Sequence, residues 1–312
     1  MGYCTRLFLW VILGVCFTPE IRLYSQLGPN LSLFTQNRIY LNPAYSGEGD
    51  RTFIQLHVRN QWTGYQTTQD GGGSLGTRLL SASLPVGTTG LGIGLNYLSD
   101  LTPSGVGMQL GNLQLAYHLP IGEAQISVGA GVGLQTKSLD GAAFRVRDSG
   151  DPILNEFLDK QVSQAKPTFR GGALVKWRQL HVGMSAFIYH QAQDFTLHAE
   201  HTIPVVTSVE LNPFLRVRSI SDAIIVEPGV RVVYQNALWI GGSFRSNDAL
   251  VGMIGANIWK QRIEAGYAID YTTVNLPVKA LLTHEVFCRF NLPSFTFKTV
   301  NAPVKTPRFR LN

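Results

Sequence analysis

Charge is scarce in this chain of 312 residues: Asp, Glu, Lys and Arg make up 15% of it, against about 25% in an average soluble domain. Cysteine is scarcer still, at 3 residues, and Cys4 and Cys16 both lie near the N-terminus. Long apolar runs are missing too. A helix that spans a bilayer needs about 18 or more consecutive apolar residues, and the one candidate run is broken soon after Phe17 by Pro19, Glu20 and Arg22. No basic run is present. The 26 Lys and Arg outnumber the 20 Asp and Glu, but they are spread along the chain, so nucleic acid is excluded as a partner. Glycine, at 32 residues, is what the sequence has in quantity. The length suits either two domains of about 150 residues or one large all-β barrel.

Arg6, the apolar run Leu7 to Phe17, and the small or polar residues up to Ser25 have the three parts of a secretory signal peptide. Residues 1–25 are therefore expected to be removed. Val15 stands before Cys16 where a lipoprotein signal wants a small residue, so Cys16 is read as an ordinary cysteine of the apolar region. Cys288 is then alone in the exported chain, which excludes a disulfide framework.

The rest of the chain alternates. Ala124, Ile126, Val128, Ala130, Val132 and Leu134 are interleaved with Gln125, Ser127, Gly129, Gly131, Gly133 and Gln135. Period two means an extended strand with one apolar face. The split recurs at Leu91–Tyr97, Leu113–Leu119, Val209–Val217 and Ile224–Val232. Exported strands of about 9 to 11 residues with this pattern predict a transmembrane antiparallel β-barrel, all-β, whose apolar face meets outer-membrane lipid. A soluble sandwich would carry more Lys and Glu than glycine on its polar face.

Thirteen strands can be placed between residues 52 and 290, and a short one at 194–201 brings the count to fourteen, the even number that single-chain barrels need. One long strand is expected at 204–218, and the longest connection at 139–167. Links at 86–89, 120–123, 178–179, 202–203, 235–236 and 260–261 are short and fall on one side. Short turns face the periplasm and long loops the exterior, which puts both mature termini in the periplasm. The expected organisation is a signal peptide (1–25), a periplasmic N-terminal segment (26–50) that either meets a partner or plugs the barrel base, an outer-membrane barrel (51–291) and a periplasmic tail (292–312). Pro303 and Pro307 exclude a further strand in that tail.

No catalytic constellation emerges. Gly72, Ser74 and Gly76 match G-x-S-x-G, but the serine sits in a glycine-rich hairpin with no helix to follow. Gly90, Gly92 and Gly94 alternate with aliphatic residues and read as lumen-facing positions, not a phosphate loop. The seven histidines have no partner at ligand spacing, so neither metal nor cofactor is expected. Trp62, Trp177 and Trp259 near strand ends suggest an aromatic girdle. Facing inward are Arg59, Gln61, Glu210, Arg216, Arg218, Glu227, Arg231, Arg245, Glu264, Glu285 and Arg289. Opposite charges in one interior should pair and narrow the bore, which favours a crowded lumen over the alternative of a general porin or small-solute channel.

Asn42-Pro43-Ala44-Tyr45-Ser46-Gly47, followed by Arg59-Asn60-Gln61-Trp62, resembles the opening of the PorP/SprF family of type IX secretion system membrane proteins. Ile240–Arg245 (with Arg245), Gly266–Tyr271 (with Tyr267) and Thr283-His284-Glu285 resemble the family's late strands in order and spacing. Ser46 and Ala268 depart from its usual residues, and 139–203 matches poorly. The resemblance implies a non-enzymatic outer-membrane barrel acting with other type IX components on a secreted cargo or adhesin, such as those used in gliding. It also marks these motif residues as candidates for partner contact.

Overall fold

The structure, a computed structural model, describes residues 29–49, 51–65, 73–101, 106–139, 162–189, 193–220, 223–274 and 280–292. The expected signal peptide, most of the tail and most of the connection 139–167 lie outside the described residues.

The strands are β1 (Phe53–Tyr65), β2 (Gly73–Val86), β3 (Leu91–Leu101), β4 (Val106–Ile121), β5 (Ala124–Leu139), β6 (Val162–Trp177), β7 (Leu180–Ile188), β8 (Gln193–His201), β9 (Ile203–Val206), β10 (Val209–Ile220), β11 (Ala223–Tyr234), β12 (Leu238–Arg245), β13 (Ala249–Ile258), β14 (Ile263–Thr272) and β15 (Leu282–Asn291). All pair antiparallel with their neighbours. The β1–β15 pairing, running from Phe53↔Asn291 to Thr63↔Leu282, closes the sheet on itself. Closure leaves no edge for lipid to solvate.

Fifteen elements make fourteen staves. β8 and β9 are one stave interrupted at Thr202, since β10 pairs with both: Phe214–Ile220 with β8 and Val209–Leu211 with β9. The single strand expected at 204–218 is thus divided, and its hairpin turn falls at Thr207–Ser208 instead of 202–203. β6 starts at Val162, not at 168. The other short turns fall at or beside their expected places. In the three-residue connection after β11, Gln235 and Asn236 both have φ of 51°, a left-handed pair closed by Ala237 N donating to Tyr234 O at 2.9 Å.

Alternation sorts the faces. Leu91, Leu95, Leu113, Leu115, Val128, Val132 and Leu134 are exposed on the outer wall, while Ser81, Asn96, Asn112, Gln114 and Ser127 are buried within. Trp177 and Trp259 are exposed at strand ends as expected. Trp62 is not fully exposed: it sits at a bulge between Asn60 and Thr63 with φ of 55°, its backbone N–H donating to Thr283 Oγ1 at 3.0 Å.

Candidate functional site

The lumen is occupied by the chain itself. Residues 29–49, expected to lie beneath the barrel, run through it. Pro29 O and Asn30 Oδ1 accept from Arg218 Nη1 at 3.4 and 2.8 Å, near the end of β10 on the side of the longer links. At the other end Glu48 pairs with Lys176, beside the short turn after β6. The barrel's own ends, Thr52 and Leu292, meet at that short-turn rim through a 2.7 Å bond. The segment therefore spans the bore, and its first described residues lie at the rim opposite the one expected for the termini.

Local chemistry sets its shape. The Asn37 side chain accepts from Tyr40 N at 3.3 Å and starts the helical turn Arg38–Leu41, the capping role that short polar side chains fill. Asn42 repeats the device: its Oδ1 accepts from Ala44 N at 2.9 Å and opens the 3-10 turn Pro43–Tyr45. Its amide also donates to Ala173 O and Met184 O at 2.9 and 3.0 Å, fastening the turn to β6 and β7. Tyr45 OH bonds His198 Nε2 at 2.9 Å.

The wall is cut to receive this turn. A Cβ on Gly129 would lie 2.4 Å from Pro43 C, and one on Gly92 would lie 1.9 Å from Ser46 O. No ordinary side chain fits there. These alternating glycines are the seat of the Asn42–Gly47 segment.

Beyond the seat, Ser32 joins two networks. Its hydroxyl donates to Asp270 Oδ1 at 2.6 Å and accepts from Arg59 Nη1 at 2.8 Å and Arg245 Nη2 at 3.0 Å. Ser32 N donates to Glu285 Oε2 at 2.7 Å. Arg59 also pairs with Asp270 at 2.9 Å and Glu285 at 3.1 Å. Arg245 reaches Glu227 at 3.2 Å and Asp270 at 3.1 Å, and Arg216 shares Glu227. Leu31, Leu33 and Phe34 pack with Leu79, Leu98, Leu110, Phe187, Phe214, Trp239 and Phe287, so an apolar cluster fills the bore next to the ion pairs. Desolvated charges of both signs, each with a partner, suit a rigid filling.

Of the motif residues, Asn42, Pro43, Ala44, Tyr45, Arg59, Gln61, Arg245 and Glu285 are buried in the lumen. Tyr267 and His284 are not brought to it. They sit on the outer wall, bonded to each other at 2.6 Å. Ser32, His57 and Asp194 are also buried in the lumen with no motif to mark them, and so are His198 and Glu200, on the polar face of the strand at 194–201. Among the described residues, no group of His, Cys, Asp and Glu is placed to hold a metal ion.

The model of the type IX secretion system membrane protein PorP/SprF family matches residues 24–290. The chain belongs to that family. Its closed barrel with an apolar outer belt is that of an outer-membrane member, and the match takes in both the plugging segment and the wall that seats it. Comparison with curated proteins finds no match. Solved structures of similar shape include the outer-membrane protein Omp33 of Acinetobacter baumannii, at 9% identity and TM-score 0.49, covering 79% of this chain and 100% of that one. The toluene transporter TbuX of Ralstonia pickettii has 9% identity and TM-score 0.46, covering 82% and 93%. The monoaromatic hydrocarbon channel CymD has 9% identity and TM-score 0.49, covering 81% and 91%. Likeness at this level passes nothing of their transport to the PorP/SprF chain.

Proposed function

We propose that this PorP/SprF protein is a plugged, non-enzymatic barrel that supports the export or surface attachment of a cargo, such as an adhesin, by the type IX machinery. The observation that carries this reading is the filled lumen. A diffusion porin needs a continuous wet bore, whereas here Asn30–Ser46 are almost wholly buried against the wall. Such a barrel serves as a rigid membrane platform whose rims meet partners. In this reading the short turns and the barrel's own ends face the periplasm, the longer links face outward, and Pro29 lies at the outer rim. The partners are outer-membrane lipid around the belt, other type IX components, and the secreted cargo.

Replacing Asn42 and Tyr45 together by alanine should loosen the plug from its seat while the strand-paired wall remains. The expected result is a heat-modifiable barrel at normal abundance, with reduced surface display of cargo and reduced co-purification of machinery. Normal display and normal partner recovery, in a variant shown by proteolysis to have a loosened plug, would remove the basis for the proposal.

A further inference from the structure

At the short-turn mouth the plug leaves a cavity of about 440 Å³, walled by Phe53 of β1, Lys176 of β6, and Arg289 and Asn291 of β15, with Arg38, Ile39, Tyr45, Glu48 and Arg51 from the segment side. That volume is within the range of ligand sites. Ile39 and Tyr45 are buried beneath it. The cavity is therefore blind, a place to bind and not the entrance of a path.

Its charge is of one dominant sign. Arg38, Arg51, Lys176 and Arg289 line it, with Glu48 the one carboxylate among the lining residues. Glu200 holds Arg38 at 2.7 Å but is shared with Arg231 at 3.0 Å, and Glu264 holds Arg289 at 2.9 Å. Cations thus outnumber carboxylates among the described residues of the mouth. The side chains of Arg38, Lys176 and Arg289 keep part of their surface open, unlike the sealed Arg245 and Arg59 deeper in the lumen. A like-charged cleft with low-dielectric walls focuses its field on an incoming counter-ion. Arg289 stacks over Phe53 at 4.7 Å and Arg38 lies 5.8 Å over Tyr45, so apolar ring surface lies beside the cations.

The chain's own tail does not suit this cavity. After Leu292, which leaves at the same rim, the sequence carries Lys298, Lys305, Arg308 and Arg310 and no Asp or Glu. The surrounding strands also separate the cavity from bilayer lipid. We infer that this mouth is a receptor site for an acidic, carboxylate-bearing peptide segment of a partner that approaches from the short-turn side. The inference rests on the proposed role in meeting partners, and it names the chemistry that such a partner must present.

The test is fluorescence anisotropy of a labelled hexaglutamate peptide against the full-length barrel in neutral detergent, with a Gly-Ser peptide as control. Saturable binding of hexaglutamate alone, weakening as salt rises, is expected. Arg51→Glu and Lys176→Gln should each weaken it by roughly fivefold or more. Arg51 is exposed and precedes β1, so its variant keeps the barrel even if Lys176→Gln does not fold. Three results would overturn the inference: no hexaglutamate binding, binding unchanged in Arg51→Glu but abolished when the chain is ended after Leu292, or binding only to vesicles containing phosphatidylglycerol. Peptide binding is read without the machinery. Wild-type binding that Arg51→Glu weakens, together with unaffected cargo export in that variant, would therefore sink the proposed export role of this mouth and leave the site itself standing.

Discussion

Arg245→Ala is expected to destabilise the folded barrel by about 3 kcal/mol, the lower end of the cost of breaking a buried ion pair. Arg245 has no exposed surface and holds Glu227, Asp270, Asp248 and Ser32 at once. Its removal strips partners from two buried carboxylates. Arg216 still reaches Glu227 and Arg59 still reaches Asp270, which is why the lower end applies. The Ser32 hydroxyl would also lose its bond to Arg245, one of those that tie the plug to β12, β14 and β1. The check is the denaturant midpoint at which the heat-modifiable band is lost. An unchanged midpoint would mean that the network adds nothing to the fold.

A second large effect is expected on the opposite face of the wall. Val128 is 53% exposed on the outer surface, whereas its neighbour Ser127 is fully buried and bonds His118 Nδ1 at 2.8 Å. Val128→Arg places a guanidinium in the hydrocarbon, at a cost of roughly 2 to 4 kcal/mol near the midplane. Ser127→Arg avoids lipid and meets crowding in the lumen instead. The fraction of chain that becomes heat-modifiable on refolding into vesicles reads both. Val128→Arg should insert poorly and with a lowered midpoint, and insertion equal to wild type would reverse the face assignment.

The wall was legible because side-chain direction in a strand is local: period two in Ala124–Gln135 is enough to say which residues share a face. The interior charges Arg59, Glu227, Arg245 and Glu285 follow from the same parity. What fills the lumen was legible only in part: a plug at the barrel base was one of two readings of the segment before the first strand, but its course through the whole bore was not. Residues 29–49 have no strand period, and one trace of them in the wall is the set of glycines such as Gly92 and Gly129, which show that space is short without saying what takes it. Leu79, Phe187, Phe214, Trp239 and Phe287 look like interruptions of a polar face until Leu31, Leu33 and Phe34 are set against them. The division of the expected strand at 204–218 was hidden because Ile203–Val206 is apolar enough to read as a strand start, while the true turn, Thr207–Ser208, carries neither glycine nor proline. Tyr267 and His284 show the limit of motif reading: they share motifs with buried residues yet face outward.

The central claim is that the barrel's own N-terminal segment closes its bore. Ion conductance across planar bilayers holding the intact protein tests it most directly. The account predicts no steady conductance from the intact chain, and a stable ohmic pore from a variant lacking residues 29–47. A steady, porin-sized conductance from the intact chain would contradict it.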